Sequence, residues 1–135
     1  MKKFTLAQVL TVTTGKLLCP TEDLYQILNH LTGDNLFTHQ LPRAGAWAKP
    51  ILLATFPTLA QVTDDDIAEL KAMIGRAIGG ASASRQGVRA AAAWGAASAW
   101  VEVMALRLGA EFEIGQQDSW SHVDPVGELS VMMDN

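Results

Sequence analysis

A chain of 135 residues, 49% of them hydrophobic, is long enough to bury a core as one domain without disulfide or metal staples. A net charge of −4 and a charged fraction of 18%, with no basic run longer than Lys2-Lys3, leave no stripe for phosphates and argue against direct nucleic-acid binding. The lone cysteine, Cys19, excludes an internal disulfide; between Leu18 and Pro20 it reads as a small buried apolar residue, which fits a reducing cytoplasm.

Abundant Ala and Gly with modest Ile and Val favour helices over sheet. Thr5 caps a first helix from Leu6 to about Val12, which Gly15 ends. The start superficially resembles a secretory signal, but Gln8, Thr11, Thr13 and Thr14 break its apolar run, so it reads as mature protein. In "CPTEDLYQILNHLTG" Thr21 reads as the N-cap of a second helix, with Glu22 and Asp23 at the positive end of its dipole. Leu24, Ile27, Leu28 and Leu31 form one face, His30 sits in the last turn, and Gly33 is the stop.

The stretch that follows, "GDNLFTHQLPR", reads as a loop in which Asp34 and Asn35 satisfy their own backbone and Leu36, Phe37 and Leu41 turn inward. Local structure gives His39 and Arg43 no task, and the Thr38 hydroxyl can cap or bind. Pro42 opens a helical piece to Lys49; a second runs from Pro50 to about Thr55, because Pro50 inside one continuous helix would break it. After Pro57, Thr63 caps a helix with Asp64, Asp65 and Asp66 in its first turn and Ile67, Leu70, Ile74, Ala77 and Ile78 as its buried stripe.

"GGASASRQG" is a hinge, and the longest helix runs from about Ser84 to Leu108. Ala83, Gly87, Ala91, Gly95 and Ala99 recur every four residues, a nearly bare face that predicts a buried central helix, with Trp94, Trp100, Val101, Met104 and Leu108 filling wider gaps. Ala90–Val101 carries no charge for 12 residues, too short to span a membrane, which needs about 20. In the tail, "AEFEIGQ" and "GELSVMM" read as two strands joined by "QDSWSHVDPV". The expected architecture is therefore mainly α with a small C-terminal β-hairpin, an α+β single domain over residues 1–135. Residues 1–108 form the helical part and 109–135 the hairpin and tail.

Several chemistries find no support. "GRAIGGAS" lacks the ending of a phosphate loop, and "GASAS" is not a nucleophile elbow. His30, His39 and His122 are too scattered for a zinc site, although His30 and His39 with Asp34 could meet across the turn. Nothing around Cys19 except Lys16 favours a thiolate, and the Asp64–Asp66 run is explained by the helix dipole. Neither a cofactor nor a metal is expected. In the tail, Asp118, Trp120, His122 and Asp124 gather around an aromatic that either anchors an interface or covers the core.

"LTVTTGKLL" (10–18) and "LYQILNHLTGDNLFTHQLPR" (24–43) resemble a family of small uncharacterised proteins encoded by bacteriophages and prophages. The resemblance covers the first third to half of the chain and implies a mobile-element accessory protein. By analogy with small acidic phage proteins that lack catalytic motifs, it implies a stoichiometric, non-enzymatic inhibitor of a host defence complex, anti-CRISPR proteins being the obvious class. The partner would be a host protein or defence ribonucleoprotein. Its contacts are expected from Asp34, Asn35, Thr38, His39 and Arg43, from Asp64, Asp65 and Asp66, and from Trp120, His122 and Asp124. Two rival readings are an enzyme or small-ligand binder centred on His39, with Asp34, Asn35 and Arg43 in support, and an oligomeric phage structural protein joined through the hairpin.

Overall fold

The short N-terminal helix lies at the centre of the molecule. In the computed structural model, which describes residues 1–80 and 86–121, α1 (Leu6–Thr14) is buried at every position from Leu6 to Thr13 except Ala7, with Val9 and Leu10 fully covered. Its β-branched run "VLTVTT" tolerates a helix because the threonine hydroxyls turn back on it: Thr11 Oγ1 donates to the Ala7 carbonyl (2.7 Å) and Thr14 Oγ1 to that of Leu10. The start is a reciprocal cap. Gln8 N–H donates to Thr5 Oγ1 (3.2 Å) and Thr5 N–H to Gln8 Oε1 (2.9 Å). Gly15 closes the helix at φ 72°, a left-handed turn that a side chain would strain.

Around α1 stand α2 (Thr21–Thr32) and α3 (Leu41–Thr55), then the pair α4 (Asp64–Gly80) and α5 (Gln86–Leu108); 3-10 turns at Thr38–Gln40 and Pro57–Gln61 flank α3. Helix α2 begins at Thr21 after Pro20, so Thr21 is its first helical residue and not its cap, and Gly33 ends it at φ 68° as expected. The expected break at Lys49-Pro50 is absent: α3 runs unbroken with Pro50 inside it. Ala44, Ala48 and Leu52, one turn apart on one face, are each 0% exposed, and burial of that face holds the helix together across the missing hydrogen bond.

Two strands close the fold. β1 (Lys2–Thr5) pairs antiparallel with β2 (Glu111–Ile114) in the register Lys2 with Ile114, Phe4 with Phe112 and Thr5 with Glu111. The molecule is thus mainly α with a small two-stranded antiparallel sheet, and the tail strand expected at "AEFEIGQ" finds its partner at the N-terminus. The second expected strand, 127–133, lies outside the described residues, as does most of the "GGASASRQG" hinge. Phe4, Phe112 and Ile114 point inward. Phe112 meets Phe56 edge-on at 5.0 Å, and His30 Nε2 donates to the Ile114 carbonyl (2.7 Å), latching the end of α2 to β2.

Helix α5 is not the buried centre. Gly87, Ala91, Gly95 and Ala99 face outward, while Ala97, Trp100, Met104 and Leu108 on the opposite face are buried. Burial rewards apolar area, and an indole, a thioether and an isobutyl group remove far more of it from water than methyls and hydrogens do. Trp94, expected to fill a gap, is 40% exposed. Ala83 lies outside the described residues.

Candidate functional site

The runs 10–18 and 24–43 converge on one cleft. Its volume is about 490 Å³ and its walls are mostly apolar. From "LTVTTGKLL" come Thr11, Val12, Thr14 and Leu17; from α2 come Leu24 and Leu28; from the loop and α3 come Thr38, Leu41, Gly45, Ala46 and Lys49. Leu17 on its lip is half exposed, and the Tyr25 hydroxyl bonds Thr38 Oγ1 at another edge. The floor is rigid because Thr11 Oγ1 also accepts the Leu18 N–H (3.0 Å) and lies 3.4 Å from Cys19 Sγ. Burial pushes the Cys19 thiol above its usual range, outweighing the Thr11 contact, which disfavours the thiolate and suits a packed side chain. A smaller recess of about 370 Å³ shares Thr14 and Lys49 with the cleft and is lined further by Thr13, Leu53, Thr63 and Asp64. The buried Thr13 hydroxyl has no hydrogen-bond partner among the described residues and lines that recess.

A second cluster joins the loop to the tail. Trp120 Nε1 donates to Asp34 Oδ2 (3.1 Å), the Arg43 guanidinium stacks 3.9 Å above the Trp120 ring, and Trp47 meets that ring edge-on at 5.1 Å. Arg43 Nη1 also donates to the Ser121 carbonyl (3.3 Å), and the Gln117 N–H donates to that of Leu31 (2.9 Å). Cation–π stacking of this kind is worth about 0.5–2 kcal/mol, so Asp34, Arg43 and Trp120 fasten the tail over the core. Trp47 had no assigned role in the sequence, where neither its neighbours nor its spacing sets it apart.

The loop backbone behaves as its residue types demand. Asn35 N–H donates to Asp34 Oδ1 (2.8 Å), Asp34 N–H to Thr32 Oγ1 (3.1 Å) and Leu36 N–H to Asn29 Oδ1 (3.0 Å). Leu36 is buried, but Phe37, expected inside, is 52% exposed, because the 3-10 turn places fully buried Gln40 beneath it to accept the Phe37 N–H (2.9 Å). Phe37 stacks edge-on with His39, 6.1 Å between ring centroids. Of the eleven residues expected at a binding surface, Thr38 lines the cleft and Asp64 the recess. Asp34, Asn35, His39 and Arg43 line neither, and His122 and Asp124 lie outside the described residues. Among the described residues no three of His, Cys, Asp and Glu gather as a metal centre needs, and no helix is long and apolar enough to cross a membrane.

The acidic run divides. Asp64 and Asp65 are exposed, whereas Asp66 is bound into the fold. Its Oδ2 accepts the N–H and hydroxyl of Thr63 (2.9 and 3.1 Å), its own N–H donates to Thr63 Oγ1, and its Oδ1 pairs with Arg107 (3.1 Å). The Thr63 backbone N–H, followed by the Arg107 contact, holds the Asp66 carboxyl below the usual carboxylate range. Because the folded pKa lies below the unfolded one, the ionised group contributes stability fully above the unfolded value near ~3.9 and loses it as pH falls through the folded value. Asp66→Asn should therefore cost about 1 kcal/mol at neutral pH in urea unfolding, and the difference should vanish on acidification below that range.

The family described as a domain of unknown function, DUF7736, matches residues 4–62. Every residue that lines the cleft lies inside that match, while α4, α5 and β2 lie outside it. No curated protein and no solved structure matches the chain.

Proposed function

We propose that the protein is a phage- or prophage-encoded accessory protein of the host cytoplasm. It acts without catalysis, taking an apolar segment of a host protein into the cleft between α1, α2 and α3 and so inhibiting a defence complex in the anti-CRISPR manner. The observation that carries this reading is the convergence of both phage-like runs on one apolar cleft. A groove of about this size with an apolar wall and a few polar edges suits one face of an amphipathic helix or an extended apolar peptide. Thr38 and Lys49 at its edges supply a hydroxyl and a cation to orient the occupant, and Asp64 in the recess with exposed Asp65 beside it in sequence favours a basic flank. The reading centred on His39 has less support, since its four side chains line neither cavity.

Gly45 supplies the test. It lines the cleft, and a Cβ built on it meets nothing within 4 Å, so the side chain of Gly45→Leu starts in open space and grows into the groove. Leucine in place of glycine inside a helix should raise stability by up to about 1 kcal/mol, read by thermal melting. Tagged wild-type protein should retain a defence protein stoichiometrically from the lysate of a host with active CRISPR systems, and Gly45→Leu should retain at least about tenfold less. Equal capture by the two proteins, or recovery of the bait alone, would reject the proposal.

A further inference from the structure

The recess beside the cleft gathers polar groups that the fold does not use. It lies between the end of α1, α3, the Pro57–Gln61 turn and the start of α4, and its volume of about 370 Å³ falls within the range of about 300–1,000 Å³ usual for small-molecule sites. Leu53, Leu59, Val62 and Ile67 give it an apolar side. Thr13 stands in its wall, 7% exposed, and the buried hydroxyl has no partner among the described residues. Its neighbours in α1, Thr11 and Thr14, return their hydroxyls to the carbonyls of Ala7 and Leu10. Thr13 makes no such bond to Val9, so its hydroxyl is turned away from its own helix. An unpaired buried hydroxyl costs free energy that a polar group seated in the recess recovers.

Two charges complete the lining. Lys49 and Asp64 both border the recess, and neither side chain makes a hydrogen bond or ion pair among the described residues. Asp66, two residues on, is held by Thr63 and Arg107, which leaves the Asp64 carboxylate as the acid that can meet a ligand. A cation and a carboxylate that share one recess without pairing match a molecule carrying both opposite charges on an apolar body. We propose that the recess binds a free apolar amino acid. Its carboxylate meets Lys49, its ammonium meets Asp64, the Thr13 hydroxyl bonds its polar end, and its side chain covers the leucines. A peptide end carries one of those charges and not both, so the inference does not rest on the partner proposed for the cleft.

Calorimetric titration of the full chain with L-leucine, L-methionine and L-phenylalanine is expected to give a single site, with a dissociation constant below ~1 mM for at least one of them. For that amino acid, the amide, which lacks the carboxylate, and the desamino acid, which lacks the ammonium, should each bind at least about tenfold more weakly. Asp64→Asn and Thr13→Val should each weaken binding at least about fivefold. Thr13→Val removes an unpaired polar group at nearly constant shape, so its melting temperature should equal or exceed that of wild type, which separates lost binding from lost folding. Gly45→Leu, in the cleft but not in the recess, should bind the amino acid unchanged, so this reading and host-protein capture fail independently. No binding at ~10 mM, or an affinity indifferent to Thr13→Val or to Asp64→Asn, overturns the proposal. Equal affinity for the amide or the desamino acid overturns the assignment to a zwitterion.

Discussion

Trp100→Ala is expected to destabilise the protein by about 3–5 kcal/mol in urea unfolding, a large share of the roughly 5–15 kcal/mol that holds a domain of this kind folded. Trp100 is 3% exposed, and its Nε1 donates to the Asp66 carbonyl (3.0 Å). The same aspartate caps α4 and pairs with Arg107, whose Nη2 also reaches the Gln61 carbonyl (3.5 Å). Removing the indole opens a cavity between α4, α5 and the core and removes the hydrogen bond that ties α5 to the Asp66 carbonyl, two costs that add. Trp100→Phe separates them: the ring mostly stays and the N–H goes, for an expected loss of about 1–2 kcal/mol. If Trp100→Ala cost less than about 1 kcal/mol, α5 would not be anchored by this residue.

Much of this arrangement is legible in the residues. Thr5, Gly15, Gly33 and Thr63 act at helix ends because side-chain oxygens and left-handed glycines have few other uses there. The partnership of Asp34, Arg43 and Trp120 is legible only as a set of residue types, since nothing local says that positions about eighty residues apart will meet. Helix α5 misleads for a definite reason. A small-residue stripe announces close packing, but it does not say whether the packed neighbour belongs to the same chain, and the large residues on the other face settle the orientation. The cleft is hidden for a similar reason: Gly45 and Ala46 belong to its wall by having little side chain, so no chemical signature marks them. Its walls come from the runs 10–18 and 24–43, which share a surface although helix periodicity alone does not bring them together.

The rule that Pro50 breaks a helix fails here, and its physical content predicts a large effect in the opposite direction. Proline inside a helix costs about 3 kcal/mol relative to alanine, through the missing N–H and the crowding of its ring against the carbonyl four residues back. That carbonyl belongs to Ala46, on the cleft wall, and Pro50 is exposed, so its ring has little core packing to lose. Pro50→Ala should accordingly stabilise the protein by about 1–3 kcal/mol, a gain visible as a higher melting temperature and urea midpoint. A loss of stability would mean that the proline's limit on unfolded-chain freedom outweighs the strain in α3. Function gives the second reading. A new N–H at position 50 would engage the Ala46 carbonyl, and the geometry of the cleft edge between Gly45 and Lys49 would relax towards a regular helix. If the proline is retained for binding, Pro50→Ala will be the more stable protein and the poorer binder, whereas Gly45→Leu will lose binding by obstruction alone. A variant that gains stability and keeps full capture would place Pro50 outside the binding function and leave its cost to be explained by folding.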